Sequence, residues 1–165
     1  MVEEPARVVL KKDQFSEVWR EGDWVYKRQH EFLADNEVWC LRQMWPSGYV
    51  PYVEMIDRDL IRTRFIGRRG PYQTDLGIES LMLHVPKMLE ALRAAGIRHG
   101  DLTEYSILLN HNLHPYIIDF SESRLWDDPR PEKRSEGDEY WLTRTMRKLS
   151  GLNPIIGDFQ NSGRL

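Results

Sequence analysis

Short runs of alternating apolar and polar residues fill the stretch from Val8 to Phe65. Three of these runs are SEVWRE, DWVYKRQ and DLIRTRFI. A period of two is typical of strands that bury one face of a sheet. Turn signals separate the runs at Gly22-Asp23 and at Asp57-Arg58-Asp59. The pattern therefore predicts a set of antiparallel strands.

One segment of this region, EFLADNEVWCLRQM, breaks the alternation. Its apolar residues recur at roughly helical spacing, namely at Leu33, Val38, Leu41 and Met44. Pro46-Ser47-Gly48 follows and ends the helical pattern. We therefore expect a single helix inserted in the sheet.

The second half of the chain is dominated by helical periodicity. Apolar residues over Ile78–Leu92 mark one face of a long helix that ends at Gly96. Pro86 lies inside this helix, where proline removes one backbone donor. Two apolar runs flank Asn110–Pro115 and predict a tight hairpin of buried strands. A final helix is expected near Glu139–Leu149.

A charged stretch rich in glycine and proline, GRRGP, separates the two kinds of pattern. It begins at Gly67, and the composition changes after it, which favours a hinge between two lobes. We predict four parts: an N-lobe over residues 1–67, a hinge or linker over 68–75, a C-lobe over 76–150 and a C-terminal tail over 151–165. The strand-rich first part and the helical second part make the expected fold class α+β.

Composition excludes several classes of protein. The 165 residues include 23 Lys and Arg against 26 Asp and Glu, and the net charge of −3 argues against nucleic acid as a direct target. No apolar run approaches the ~18 residues of a membrane-spanning helix, so no membrane association is expected. Cys40 is the single cysteine, which predicts a reducing, cytoplasmic setting and leaves no cysteine cluster for zinc. The opening MVEEPARVV has no signal-peptide pattern.

Two aspartates flank the predicted hairpin in the segment HGDLTEYSILLNHNLHPYIIDF. Asp101 follows the long helix in a loop, and Asp119 ends an apolar strand, so the hairpin can bring the two carboxylates together. Magnesium-dependent phosphoryl transfer needs one carboxylate to hold the metal and one to orient the attacking hydroxyl. The alternative is that Asp101 caps a turn and Asp119 merely ends its strand.

These segments resemble the protein-kinase superfamily, and specifically its small atypical branch of RIO kinases and the short kinase of the tRNA-modifying KEOPS complex. HGDLTEYSIL is similar to their catalytic loops and IIDFSES to their metal-binding strand. The resemblance implies a minimal two-lobed kinase-like fold that uses ATP with Mg²⁺ or Mn²⁺. It implies that Asp101 is the catalytic-loop aspartate and that Asp119 is the magnesium aspartate, here in DFS rather than DFG.

The same resemblance extends to a lysine in the first lobe. VYKRQ is similar to the VAIK strand of kinases, which makes Lys27 the candidate that contacts the nucleotide phosphates. Its alternative is a solvated surface lysine. Glu37 on the following helix is the expected partner of Lys27, and Glu31 is the competing candidate.

Two further segments match the kinase pattern. LIRTRFIG is similar to the strand that leads into a kinase hinge, whose backbone would meet the adenine edge at Arg64, Phe65, Ile66 and Gly67. Asp138 resembles the buried aspartate that braces the catalytic loop from beneath. The plainer interpretation of Asp138 is an acid favoured by the dipole at a helix start.

Three features depart from the family pattern. Ser106 stands where kinases place an asparagine for a second metal ion, and it is the candidate metal ligand beside Asp119. The predicted phosphate-covering loop has no glycine between Val8 and Trp19, so its grip would rest on Lys11, Lys12 or Ser16. Fewer than 20 residues separate Asp119 from the predicted last helix, too few for the long activation segment of ordinary protein kinases.

The sequence therefore predicts an ATP-dependent phosphotransferase. A Ser/Thr hydroxyl on a protein is the acceptor that the resemblance implies, while water, in an ATPase switch, and a small-molecule hydroxyl remain open. The alternative is a pseudokinase, a nucleotide-binding or purely protein-binding regulatory module without turnover. The expected partners are therefore ATP and a protein or small molecule that carries the acceptor hydroxyl.

Overall fold

The computed structural model describes residues 6–67, 74–128 and 137–150. In chain order, its strands and helices are β1 Val8–Lys12, β2 Ser16–Glu21, β3 Trp24–Gln29, α1 Glu31–Met44, β4 Val53–Asp57, β5 Leu60–Arg64, α2 Asp75–Ala94, β6 Ile97–Arg98, β7 Ile107–Leu109, β8 Pro115–Ile117, β9 Arg124–Leu125 and α3 Gly137–Ser150. A short 3₁₀ turn, Trp45–Ser47, follows α1.

The first five strands form one antiparallel sheet in the order β1-β2-β3-β5-β4. β3 lies in the middle, where Lys27 pairs with Val18 of β2 on one side and with Ile61 of β5 on the other. Because residues directly paired across neighbouring strands lie on the same face of a sheet, Lys27 shares its face with the buried Ile61. The strands, and the turns at both predicted positions, are confirmed.

Helix α1 covers the face of the sheet that carries Lys27. The amide of Phe32 in its first turn donates to Nδ1 of the His30 ring at 3.3 Å, which caps the helix. The buried side of α1 packs against β4 and β5 and consists of Ala34, Glu37, Val38, Cys40, Leu41 and Met44. The inserted helix predicted from the sequence is thus confirmed over the expected residues.

The helical part of the chain packs around α2. This helix begins at the side-chain cap of Thr74 and contains Pro86 within its length. It packs against α3, β6 and β8. Within the described residues, the fully buried apolar side chains of this part are Leu81, Met88, Leu92, Ile97, Leu102, Ile107, Leu109, Ile117, Phe120 and Leu142. The predicted hairpin is present as the antiparallel pair β7 and β8.

The predicted α+β fold is confirmed: a five-stranded antiparallel sheet with one helix, as in a kinase-like N-lobe, precedes a mostly helical part. Residues 68–73 of the predicted hinge and the predicted tail 151–165 lie outside the described residues. Among the residues that the structure describes, no helix combines the length and apolar character needed to cross a bilayer.

A cluster of tyrosine and histidine rings joins the loop after α1 to the helical part. The Tyr49 hydroxyl lies 2.8 Å from Nδ1 of His84 on α2. The ring of His114, from the β7–β8 turn, stacks on Tyr49 at 5.2 Å between centroids and meets His84 edge-on at 5.0 Å. The backbone contributes as well, because the amide of Ile117 donates to the carbonyl of Tyr49 at 2.7 Å. The contact between the loop after α1 and the helical part therefore contains two histidines.

This cluster predicts a loss of stability in mild acid. Partial burial lowers the pKa of His84, and the neighbouring His114 and Lys87 lower it further. The unfolded chain therefore binds the proton more readily than the folded one, so stability falls as the pH drops below the ordinary histidine pKa of about 6.5. We expect His84→Gln to reduce the drop in urea midpoint between about pH 7.5 and about pH 5.5. The exposed His111→Gln is the control, and equal acid sensitivity in both variants would contradict the prediction.

Candidate active site

Three charged side chains from distant segments meet beside the sheet. The ammonium of Lys27 lies 2.8 Å from Oε2 of Glu37 and 2.6 Å from Oδ1 of Asp119. Lys27 comes from the centre of β3 and Glu37 from α1, while Asp119 follows β8. Glu31, the competing candidate, is exposed at the start of α1. The structure thus pairs Lys27 with Glu37, as the sequence predicts, and brings Asp119 to the same ammonium.

The charges in this group fix its protonation. Burial alone would lower the pKa of Lys27, but the carboxylates of Glu37 and Asp119 outweigh it and raise that pKa. Burial would likewise raise the pKa of Asp119, but Lys27 outweighs this effect and lowers it to about 2. Lys27 is therefore a cation and Asp119 an anion across the neutral range. Since the Asp119 side chain is 52% exposed, its carboxylate also remains accessible from solvent.

Gln29 is a site residue that the sequence analysis missed. Its side-chain amide donates to Oε2 of Glu37 at 2.7 Å, the same oxygen that accepts from Lys27. Glu37 is buried, and a buried carboxylate is stable only when donors satisfy it. Gln29 therefore holds Glu37 in place from the strand that carries Lys27. The period of two along β3, which places Gln29 on the same face as Lys27, is the signal that could have found it.

The loop that carries Asp101 is braced from α3. The carboxylate of Asp138 accepts from the amides of His99 and Gly100 at 2.6 and 2.8 Å. The predicted brace is therefore confirmed. A second link holds the loop to the strand before Asp119, because Nε2 of the buried His99 lies 2.9 Å from the carbonyl of Ile118.

Ser106 ties the two aspartate segments together. Its hydroxyl donates to the carbonyl of Asp101 at 2.5 Å, and its own carbonyl accepts from the amide of Ile118 at 2.8 Å. The Asp101 loop and the strand that ends before Asp119 therefore share a direct chain of hydrogen bonds. Ser106 is buried and its hydroxyl is engaged with the main chain of the loop. Its role as a metal ligand stays a prediction.

In the turn between β1 and β2, a carboxylate of the turn binds the backbone amides. In a glycine-rich loop such amides would be free to face phosphate. Oδ1 of Asp13 accepts from the amides of Phe15 and Ser16 at 2.9 and 2.8 Å. Lys11 pairs with the other oxygen of Asp13 at 2.9 Å, and Lys12 pairs with Glu17 at 3.4 Å. The cations that were expected to hold phosphate thus have acidic partners within their own hairpin.

The end of β5 leads toward the helical part. Here lie the four residues predicted to meet adenine, Arg64, Phe65, Ile66 and Gly67. The amide of Phe65 donates to the carbonyl of Asp23 at 2.9 Å, so that amide is used within the sheet. A Cβ atom at Gly67 would lie 2.6 Å from the carbonyl oxygen of Leu109. This close approach requires glycine. Adenine recognition by the four residues stays a prediction.

Mg²⁺ is held in many proteins by one or two carboxylates together with substrate phosphates. Asp119 supplies a hard, ionised and accessible oxygen of this kind. Over residues 6–67, 74–128 and 137–150 there is no group of three or more His, Cys, Asp or Glu side chains placed to hold a metal alone. The donor set therefore fits a metal that arrives with a nucleotide better than a metal bound by protein alone.

The structure has three features of a kinase-like protein. They are the sheet with its single helix, the lysine–glutamate pair, and the aspartate that follows the hairpin. The family model RIO1, described as RIO domain, matches residues 7–150. The chain therefore belongs to the RIO domain family.

The chain is also similar to a protein kinase among the curated proteins. The chain is 27% identical over 106 residues to the serine/threonine/tyrosine-protein kinase HT1 of Arabidopsis thaliana. The match covers 62% of this chain but 26% of that protein, so the chain spans about a quarter of the length of this relative.

Proposed function

We propose that this protein is an ATP-dependent phosphotransferase of the atypical kinase type. The observation that carries the proposal is the meeting of Lys27, Glu37 and Asp119 within 2.8 Å contacts, although Lys27 and Asp119 are 92 positions apart in the chain. A cation beside an accessible carboxylate can receive a triphosphate and its metal ion at one place. Membership of the RIO domain family supports the same function.

Each residue has a defined role in this proposal. Lys27, held by Glu37, exchanges its contact with Asp119 for the phosphate oxygens of ATP. Asp119 and Ser106 would hold Mg²⁺ or Mn²⁺, which would neutralise charge that develops on the phosphates. The backbone over residues 64–67 contacts the adenine.

Asp101 acts on the acceptor. Its carboxylate orients the acceptor hydroxyl and takes the proton as the oxygen attacks the γ-phosphorus in line. The bond between that phosphorus and the β–γ bridging oxygen breaks, and ADP leaves with the electron pair. The brace from Asp138 and the bond from Ser106 fix the loop from which Asp101 works.

The acceptor is proposed to be a Ser/Thr hydroxyl on a protein of the cytoplasm. Water is the second acceptor, which would make the protein an ATP-driven switch, and a small-molecule hydroxyl is the third. The three acceptors share one product, because each yields ADP.

ADP formation is therefore the test of turnover. We expect the protein, mixed with ATP and Mg²⁺, to form ADP in a reaction that chelation of the metal stops. Addition of serine- and threonine-containing peptides then distinguishes transfer from hydrolysis. Binding of ATP without ADP formation under all of these conditions would overturn the phosphotransferase assignment.

The second candidate function is a nucleotide-binding pseudokinase. The observation that favours it is the β1–β2 turn, where Asp13 occupies the two amides that could otherwise face phosphate. Ser106 in place of asparagine points the same way. The joint presence of Lys27, Asp101 and Asp119 favours catalysis, since a fold without turnover has no use for all three.

A further inference from the structure

Asn36 connects helix α1 directly to the segment that follows Asp119. Its side-chain amide nitrogen lies 3.2 Å from the carbonyl oxygen of Phe120, 3.3 Å from that of Ser121 and 2.9 Å from that of Ser123. The amide has two N–H groups, so the three carbonyls share them. One half-buried side chain thereby holds a stretch of four residues.

The position of Asn36 on α1 links this contact to the Lys27 site. Asn36 immediately precedes Glu37, so neighbouring positions of α1 contact two different parts of the same site. Glu37 holds Lys27, and Asn36 holds the backbone next to Asp119. The helix therefore sets the distance between the ammonium and the carboxylate from both sides.

The backbone of Asp119 has an uncommon conformation. Its φ is +66°, in the left-handed region that few non-glycine residues adopt and in which aspartate is found more often than most. Residues in sparsely populated conformations persist when surrounding contacts over-determine them. The hydroxyl of Ser121 contributes one contact, at 3.0 Å from Oδ1 of Asp119, and the three carbonyl bonds from Asn36 fix the residues that follow.

We propose that Asn36 is a positioning residue for Asp119, fixing the backbone over residues 120–123 to α1 so that the Asp119 carboxylate faces Lys27. The part of this inference that concerns metal and nucleotide rests on the proposed function. The three carbonyl oxygens require a hydrogen-bond donor at the position of the Asn36 amide nitrogen. An aspartate of the same shape would set a carboxylate against three carbonyl oxygens, and alanine would leave the carbonyls without this partner.

Two measurements test this role in Asn36→Asp and Asn36→Ala. The first is hydrogen exchange of the amides over residues 119–125 in the protein without nucleotide. We expect exchange there to rise about tenfold or more, while exchange in the rest of α1 stays close to that of the unaltered protein. Asp35→Ala, an exposed neighbour on the same helix, is the matched control and should change neither region.

The second measurement separates positioning from general damage. We expect the affinity for ATP in the presence of Mg²⁺ to fall about tenfold in Asn36→Ala, which adds no charge, with the affinity for ATP without metal retained. A merely structural role would lower both affinities together. Equal losses with and without Mg²⁺, or unchanged exchange over residues 119–125, would overturn the inference.

The two proposals can fail separately. If the unaltered protein binds no ATP, the proposed function fails, and the exchange measurement still decides the role of Asn36. Faster exchange over residues 119–125 in Asn36→Asp and Asn36→Ala, but not in Asp35→Ala, then supports positioning, and unchanged exchange refutes it.

Discussion

Replacement of Asp119 by asparagine is expected to abolish the magnesium-dependent part of ATP binding while the protein stays folded. The carboxylate is the accessible charged oxygen of the site, and a neutral amide does not replace it as a ligand for a hard cation. Lys27 keeps Glu37 as its partner, so the replacement leaves no buried cation unpaired. We expect a loss of at least about 100-fold in affinity, since losing a group that only supports a metal ligand already costs about 10–100-fold. Calorimetric titration with ATP and Mg²⁺ measures it.

Asp35→Asn is the control for this experiment. It removes the same charge from an exposed position on α1 and should bind ATP and Mg²⁺ like the unaltered protein. Binding by Asp119→Asn that equals that of the control would remove Asp119 from the metal site.

Asp101→Asn is expected to retain ATP binding and to lose turnover. The asparagine keeps the shape of the side chain but cannot accept the hydroxyl proton, and general-base contributions are commonly about 10²–10⁴-fold. The loop itself should hold its shape, because Asp138 and Ser106 bind its backbone rather than the Asp101 side chain. Single-turnover ADP formation at saturating ATP isolates this step from binding.

The exposed Asp127→Asn provides the matched control for Asp101→Asn. It should form ADP at the rate of the unaltered protein. Undiminished ADP formation by Asp101→Asn would show that Asp101 does not handle the acceptor proton.

The sequence predicted several elements of the fold from the spacing of their apolar residues. The period of two predicts β2, β3 and β5, and the helical period predicts α1 with its boundaries at Glu31 and Met44. The pairing of Lys27 with Glu37 was also predictable, because VYKRQ is similar to a kinase strand and Glu37 lies on the helix that follows it. Periodic patterns along the chain therefore predicted most of the fold.

The contacts that hold the site together could not be predicted in this way. Asn36 binds main-chain carbonyls that lie 84 to 87 positions away, and every residue has a carbonyl, so no residue type marks the partner. The carboxylate of Asp13 turns back on its own loop through local hydrogen bonds that also leave no period. The structure was needed to show both.

A calorimetric titration of the unaltered protein with ATP, with and without Mg²⁺, tests the central claim most directly, because it requires no knowledge of the acceptor. The account predicts saturable binding that strengthens when the metal is added, since Lys27 and Asp119 would then engage the phosphates and the metal together. Absence of binding at millimolar ATP in the presence of Mg²⁺ would contradict the claim that Lys27, Glu37 and Asp119 form a nucleotide site.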